Sequence, residues 1–218
     1  MTLAIAGILT GAEVAAIRDA AADLPFGDGR ATAGARAREV KANDQALPST
    51  GRDAILDKAR AAIQAHPVFR AAARPRHLTP LLLSRYRVGQ TYGLHVDDAL
   101  MGGLRTDLSF TLFLSDPDTY DGGALAIEDR LGPREVRLAA GDMILYPSTT
   151  LHRVTPVTRG ERLAIVGWVE SWMRGAAERE VMFDLDQIAA GLPPDAPREL
   201  ADLLAKVKSN LTRLWAGA

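Results

Sequence analysis

From residue 79 to about 170 the chain is divided into short apolar runs, each closed by Gly, Pro or Asp within a few residues. Runs at 81–88, 107–114, 124–128, 135–138, 143–146, 151–157 and 162–169 read as strands. Short strands separated by turn signals predict a β-sandwich or barrel. Asp121-Gly122-Gly123 and Ala140-Gly141-Asp142 are the clearest turns. No helix follows the Gly122-Gly123 pair, so it reads as a turn and not as a phosphate loop.

Helical texture flanks this core. Thr10 and Glu13 form a capping box ahead of Val14, Ile17 and Ala21, which predicts a helix over 11–23. Residues 25–37, rich in Gly, Ala and Arg, read as loop. Ile55, Ala59 and Ile63 mark a second helix over 52–65, which Pro67 ends. Helices are also expected over 176–190 and 197–215, separated by a breaker at 191–197. The plan is one domain over 1–174, with its core at 79–170, and a helical extension over 175–218.

Composition removes several functions. There is no cysteine among 218 residues, so disulfides, thiolate zinc sites and cysteine nucleophiles are excluded. Any metal must be held by His and carboxylates. The formal net charge of −1 gives no electrostatic case for nucleic acid or an anionic membrane. The N-terminus lacks the basic start of a signal peptide. No apolar run approaches the roughly 20 residues that span a bilayer. A cytoplasmic protein is expected.

Four histidines exist, at 66, 77, 95 and 152. His66 stands at a helix end and His77 in a basic loop, and both are expected at the surface. His95 is followed at a spacing of two by Asp97. In an extended run, residues i and i+2 project from one face, so both groups reach one point. The same pair also fits a strand-end His beside a surface Asp. His152, at the start of a later strand, adds a second imidazole. Two His and one carboxylate on one side of an ion leave open positions opposite, the facial triad of non-haem iron(II) oxygenases.

Arg162 follows His152 by ten residues, across Thr158-Arg159-Gly160. A three-residue hairpin loop closed by Gly160 sets Pro156 against Arg162 and puts Arg162 on the face of His152. A two-residue loop puts it on the other face. On the first register, the guanidinium is placed to grip a carboxylate bidentately. Tyr86 reads either as a hydrogen-bond partner of that ligand or as a half-buried strand residue. Arg105 and Asp98 read either as substrate contacts or as members of structural ion pairs. Trp168 and Trp172 read as packing residues.

Several segments resemble bacterial PKHD-type hydroxylases, relatives of the prolyl 4-hydroxylase catalytic domain. They are Tyr86 through Asp97, Arg105 through Ser109, Phe113 through Gly123, Ala140-Gly141-Asp142, Leu145-Tyr146-Pro147, and Leu151 through Arg162. The likeness covers residues 79–188 closely. It implies a mainly β protein with flanking helices, built on a double-stranded β-helix (jelly-roll) core. It implies iron(II) on His95, Asp97 and His152, and 2-oxoglutarate on Arg162. It also implies ascorbate as an expected requirement and a link to bacterial iron uptake. The implied activity is an iron(II)- and 2-oxoglutarate-dependent dioxygenase that hydroxylates a peptide, an amino acid or a siderophore-related molecule with O2, releasing succinate and CO2. Two other readings use the same ligands: a non-oxidative cupin-like metal enzyme, and a non-catalytic sensor of iron or 2-oxoglutarate. The C-terminal helices are candidates for pairing subunits into a homo-oligomer.

Overall fold

The computed structural model describes residues 1–217. In chain order the elements begin with β1 (Leu3–Ile5), α1 (Gly11–Ala22), β2 (Phe26–Asp28), a 3-10 turn (Gly29–Thr32), α2 (Ala35–Glu39), β3 (Lys41–Ala42), β4 (Asp44–Ala46), α3 (Thr50–Ala65) and α4 (Pro67–Ala73). Next come β5 (Pro75–Leu78), β6 (Leu82–Tyr86), β7 (Thr91–His95), β8 (Leu100–Met101), β9 (Leu104–Arg105), β10 (Leu108–Phe113), β11 (Asp121–Gly122), β12 (Leu125–Asp129) and β13 (Gly132–Val136). The chain closes with β14 (Met143–Pro147), β15 (His152–Val154), β16 (Val157–Arg159), β17 (Arg162–Ser171), α5 (Ala176–Ala190) and α6 (Arg198–Trp215).

Two antiparallel sheets face each other, as the alternating pattern of a jelly roll requires. The wide sheet runs β1-β14-β10-β17-β6-β4-β2, with β5 also on β17. The narrow sheet runs β13-β12-β15-β7-β3. Period-two alternation splits the wide sheet into two faces. Phe110, Leu112, Leu145, Leu163 and Ile165 point outward, into a core shared with Ile17 of α1, Ile63 of α3 and Phe69 of α4. Tyr86, Phe113, Ile144 and Tyr146 point inward and pack against Leu125, Ile127 and Val154 of the narrow sheet. Every residue of β10 is therefore buried, the polar Ser109 and Thr111 included.

α1, α3, α5 and α6 form where the sequence sets them, whereas α2 and α4 were not expected. Thr10 caps α1 through its side chain, and Glu13 returns the bond to the Thr10 backbone N–H at 2.9 Å. Ser49 caps α3. Pro67 does more than end α3. It opens α4 at the first helical position, where a missing N–H is harmless, and holds His66 extended between the two helices.

Four other expectations are corrected. Residues 25–37 are not loop throughout, because β2 pairs with β4, a partner distant from any local signal. The strand expected at 135–138 begins at Gly132, which takes φ +112 and closes a tight hairpin with β12. The 151–157 run breaks into β15 and β16 around Pro156, which has no N–H for a ladder. The hairpin proposed across Thr158-Arg159-Gly160 is absent: β16 pairs with β11, while β17 lies between β10 and β6.

At the C-terminus α5 docks on α4. Arg74, in the left-handed conformation, pairs with Asp186 and donates to the Met182 carbonyl at 3.1 Å. Lys208 of α6 reaches the same Asp186 at 2.5 Å. None of the α6 side chains is fully buried, and Leu200, Leu203, Val207 and Leu214 stay exposed. No helix among the described residues is long and apolar enough to cross a membrane.

Candidate metal centre and its cavity

Strand register brings the two distant imidazoles together. His95 and His152 are direct cross-strand partners in the β15–β7 pair, with ring centroids 4.3 Å apart. Asp97 lies just beyond the end of β7, so the extended run expected over 91–97 stops at His95 as a strand. The carboxylate still arrives at the same point: one ligating atom from each of His95, Asp97 and His152 lies within 4.8 Å of the others.

The surroundings orient each ligand. His95 Nδ1 is 2.8 Å from the Gly93 carbonyl, and His152 Nδ1 is 2.9 Å from that of Thr150. A carbonyl only accepts, so both Nδ1 atoms carry the proton and both Nε2 lone pairs face the centre. Asp97 Oδ2 accepts from the Ser109 hydroxyl at 2.5 Å. Ser109 Oγ also lies 2.8 Å from Ser148 Oγ. One hydroxyl has one proton, so Ser148 donates to Ser109 and Ser109 to Asp97. Tyr92 stacks on His95 at 3.6 Å and Tyr146 meets His152 edge-on at 5.1 Å. Burial first, and then the neighbouring His152, push His95 down to about 4. It is therefore neutral and ready to ligate at physiological pH. Two neutral nitrogens and one carboxylate oxygen fit iron(II) by donor type.

The triad opens into a cavity of about 720 Å³, its mouth included. Arg162 stands in its wall, 1% exposed, with no carboxylate of the described residues within salt-bridge distance. Its guanidinium lies over the rings of Tyr86 (5.2 Å) and Phe113 (5.4 Å). Its Nε and Nη2 are buried with no hydrogen-bond partner. Arg162 thus reaches the cavity by projecting from the inner face of β17, and not through a hairpin with His152. Its Cα partner on β6 is Tyr86, a buried cavity residue whose hydroxyl is pushed up to about 12, chiefly by burial. The Gly122-Gly123 turn makes room for this arginine. Gly123 has φ +59, and a Cβ there would stand 3.2 Å from Arg162 Cδ and 2.9 Å from Val157.

The remaining expectations divide. Asp98 is exposed and lines the cavity mouth beside Gly34. Arg105 is not in the cavity wall. Asp107 holds it at 2.7 and 3.0 Å, Glu170 stands at 3.6 Å, and the Ser171 carbonyl accepts from it at 3.0 Å. Of the two readings of Arg105, its contacts fit the structural ion pair. Trp168 lines the cavity with its indole N–H unpartnered. Trp172 is 47% exposed beneath Arg76, so neither tryptophan is simple core packing. His77 is exposed as expected, although on strand β5. His66 is half-buried, with Nδ1 unpartnered. Sequence reasoning missed Lys41 entirely. It is 7% exposed, lines the cavity, and is pushed down to about 8 by burial, against the pull of Asp97 and Asp28.

A facial His-Asp-His group set in a jelly-roll cavity defines the class of non-haem iron oxygenases. Residues 81–170 match the 2OG-Fe(II) oxygenase superfamily. A PKHD-type hydroxylase of Maricaulis maris (strain MCS10) is 51% identical over 201 residues, 92% of each chain. Among solved structures, a Pseudomonas putida prolyl-4-hydroxylase superposes with a TM-score of 0.53 at 22% identity, covering 78% of this chain and 92% of that one. A Trichoplax adhaerens prolyl hydroxylase in complex with a hypoxia inducible factor peptide fragment gives 0.56 at 15% identity, covering 84% and 86%. The chain belongs to the PKHD-type hydroxylases, within the 2OG-Fe(II) oxygenase superfamily. It is a dioxygenase whose family uses iron(II), 2-oxoglutarate and O2 on a small-molecule or peptide substrate.

Proposed function

We propose that His95, Asp97 and His152 hold the iron, that Arg162 takes the distal carboxylate of 2-oxoglutarate, and that Tyr86 supports that grip. One observation carries this reading: a buried guanidinium without a counter-anion shares a cavity with three converging ligands. A buried cation is costly unless something pairs with it. A dicarboxylate that reaches from the metal to Arg162 supplies that pairing.

Bound iron and cosubstrate supply the O2 activation and oxidative decarboxylation. The protein's own residues do the positioning. The Nδ1–H bonds fix both imidazoles, the Ser148–Ser109 relay fixes the Asp97 carboxylate, and the Phe113 and Tyr86 rings keep water from the Arg162 ion pair. The substrate is an amino acid, a peptide or a siderophore-related molecule, and Asp98 at the mouth is its candidate contact. The prolyl hydroxylase neighbours favour the first two. Ascorbate as the reductant that maintains iron(II), a cytoplasmic location and a link to iron uptake complete the reading, on family likeness. No nucleic acid or membrane partner is proposed.

The C-terminal helices are read as an extension that joins two copies of the chain. Leu200, Leu203, Val207 and Leu214 stay exposed along α6, whose acidic residues Glu199 and Asp202 lie near its start and whose Lys208 and Arg213 lie toward its end, although Arg198 already stands 3.9 Å from Asp202. That pattern is self-complementary when two copies lie antiparallel.

The test is anaerobic addition of iron(II) and then 2-oxoglutarate to the protein. A metal-to-ligand absorption band is expected, followed under air by O2-dependent succinate release. Succinate release without O2, or no band at saturating cosubstrate, defeats the reading.

A further inference from the structure

Arg162 is not the only buried cation in this cavity. Lys41 projects from β3, at the edge of the narrow sheet, opposite the wall that carries Arg162. Its side chain is buried, and its ammonium lies 5.0 Å from the centroid of the Tyr92 ring, which in turn stacks on His95. The Thr32 hydroxyl, at 3.1 Å, is its one hydrogen-bond acceptor among the described residues. No carboxylate of the described residues lies within salt-bridge distance of it. An ammonium has three donors, so two remain for the cavity.

Thr32 fixes the direction of the third. Its hydroxyl donates to Gln45 Oε1 at 2.6 Å, so it receives from Lys41 and pins the ammonium to the segment that forms the cavity mouth. Both cations are buried, Arg162 at 1% and Lys41 at 7% exposure, and their surroundings differ: Arg162 lies over the rings of Tyr86 and Phe113, whereas Lys41 is bonded to Thr32. The indole N–H of Trp168, in the same cavity, is a further buried donor without an acceptor.

In the reading above, the two carboxylates of 2-oxoglutarate are committed, one to the metal and one to Arg162. Resting on that reading, we propose that Lys41 is the anion subsite for the hydroxylated substrate, which carries a carboxylate of its own. The substrate class is then a free amino acid, a peptide with its C-terminal carboxylate near the reacting carbon, or another small carboxylic acid. A neutral peptide segment passing through the site can accept hydrogen bonds from the ammonium but leaves its charge unpaired. The other source of the same chemistry is the metal-bound carboxylate of the cosubstrate.

The experiment has two arms, run anaerobically on the full chain loaded with iron(II). In the first, 2-oxoglutarate is titrated into wild type, Lys41→Met and Lys41→Arg, and the absorption band is followed. In the second, a panel of N-acetyl-L-amino acids and the matching carboxamides is titrated by calorimetry into the cosubstrate-loaded protein. Saturable binding of at least one acid is expected, with its amide weaker by about tenfold or more, the scale of a charged hydrogen bond. Lys41→Met is expected to lose that acid-over-amide preference, Lys41→Arg to keep most of it, and both to bind 2-oxoglutarate as wild type does. A loss of 2-oxoglutarate affinity in Lys41→Met of the same size assigns the lysine to the cosubstrate and overturns the proposal. So does a panel in which acids and amides behave alike or in which none binds. Failure of the parent reading looks different, because wild type itself then shows no band with 2-oxoglutarate.

Discussion

The two sheets do unequal work. The wide sheet is covered on its outer face by α1, α3 and α4, and its strands are buried on both sides. On the narrow sheet only the short α2 approaches β7, and Leu94 and Val96 beside the candidate ligand His95 are 46% and 47% exposed. The narrow sheet nevertheless carries both imidazoles, and the wide sheet carries Arg162. The larger apolar cluster thus lies on the outer face of the wide sheet, and a smaller one shares the inner faces with the candidate site.

The sharpest test of that division is His152→Ala. It should reduce succinate release below detection, because two ligands leave the metal poorly held. The unfolding free energy of the metal-free protein should stay within about 1 kcal/mol of wild type, since the side chain borders a cavity. A variant that unfolds along with losing activity would place the ligands inside the stability core. Phe110→Ala is the converse. Phe110 is 1% exposed on the outer face, edge-on to Phe69 of α4 at 6.1 Å. Denaturant unfolding should show a loss of about 3–5 kcal/mol. Val154→Ala in the narrow sheet serves as the control and should lose distinctly less.

Arg162→Ala asks whether the division runs between sheets or between faces. Arg162 belongs to the wide sheet but projects inward. Loss of its ion pair should weaken 2-oxoglutarate by about 2–5 kcal/mol, read from the anaerobic absorption titration. The metal-free protein should be no less stable, because an unpaired buried charge disappears with the side chain. Destabilisation comparable to that of Phe110→Ala would make the wide sheet one unit, with no functional face.

The legible and illegible parts of the sequence divide along the same faces. The outer face of the wide sheet is written in local periodicity, and its strands β6, β10, β14 and β17 fall where the apolar runs stand. Spacing in the chain also brings His95 and Asp97 to one point. What lies across the fold has no local signature. The β16–β11 pairing replaced the expected hairpin, because a turn motif such as Thr158-Arg159-Gly160 gives a bend but not a partner. In β10, Ser109 and Thr111 alternate with apolar residues as if they faced water, yet they face the cavity. Lys41 went unnoticed because it sits on a two-residue strand inside a polar stretch, and only the pairing of β3 with β7 carries it to the metal site. Arg105 was open to two readings, and its contacts fit the ion pair: Asp107 stands two residues on, and Glu170 joins when β9 approaches β17.

The smallest expected effect concerns Lys41, whose burial at the edge of the half-covered sheet costs stability in the free protein. The group's pKa falls from 10.5 to about 8 on folding, chiefly through desolvation. Between those values the unfolded chain binds more protons than the folded one, so stability rises with pH across that window. His95 slopes the same way lower down: with its pKa reduced from 6.5 to about 4, stability falls as pH drops from about 6.5 toward 4. Lys41→Met should abolish the alkaline slope, keep the acidic one, and stabilise the metal-free protein at neutral pH by about 1–2 kcal/mol. Thermal unfolding from pH 4 to 10.5 measures both windows in one series. An alkaline slope that persists in Lys41→Met would show that the ammonium is already compensated within the protein. The cavity would then have no reason to demand a second carboxylate, and the contrast between a closed wide sheet and a receptive narrow one would rest on the metal ligands alone.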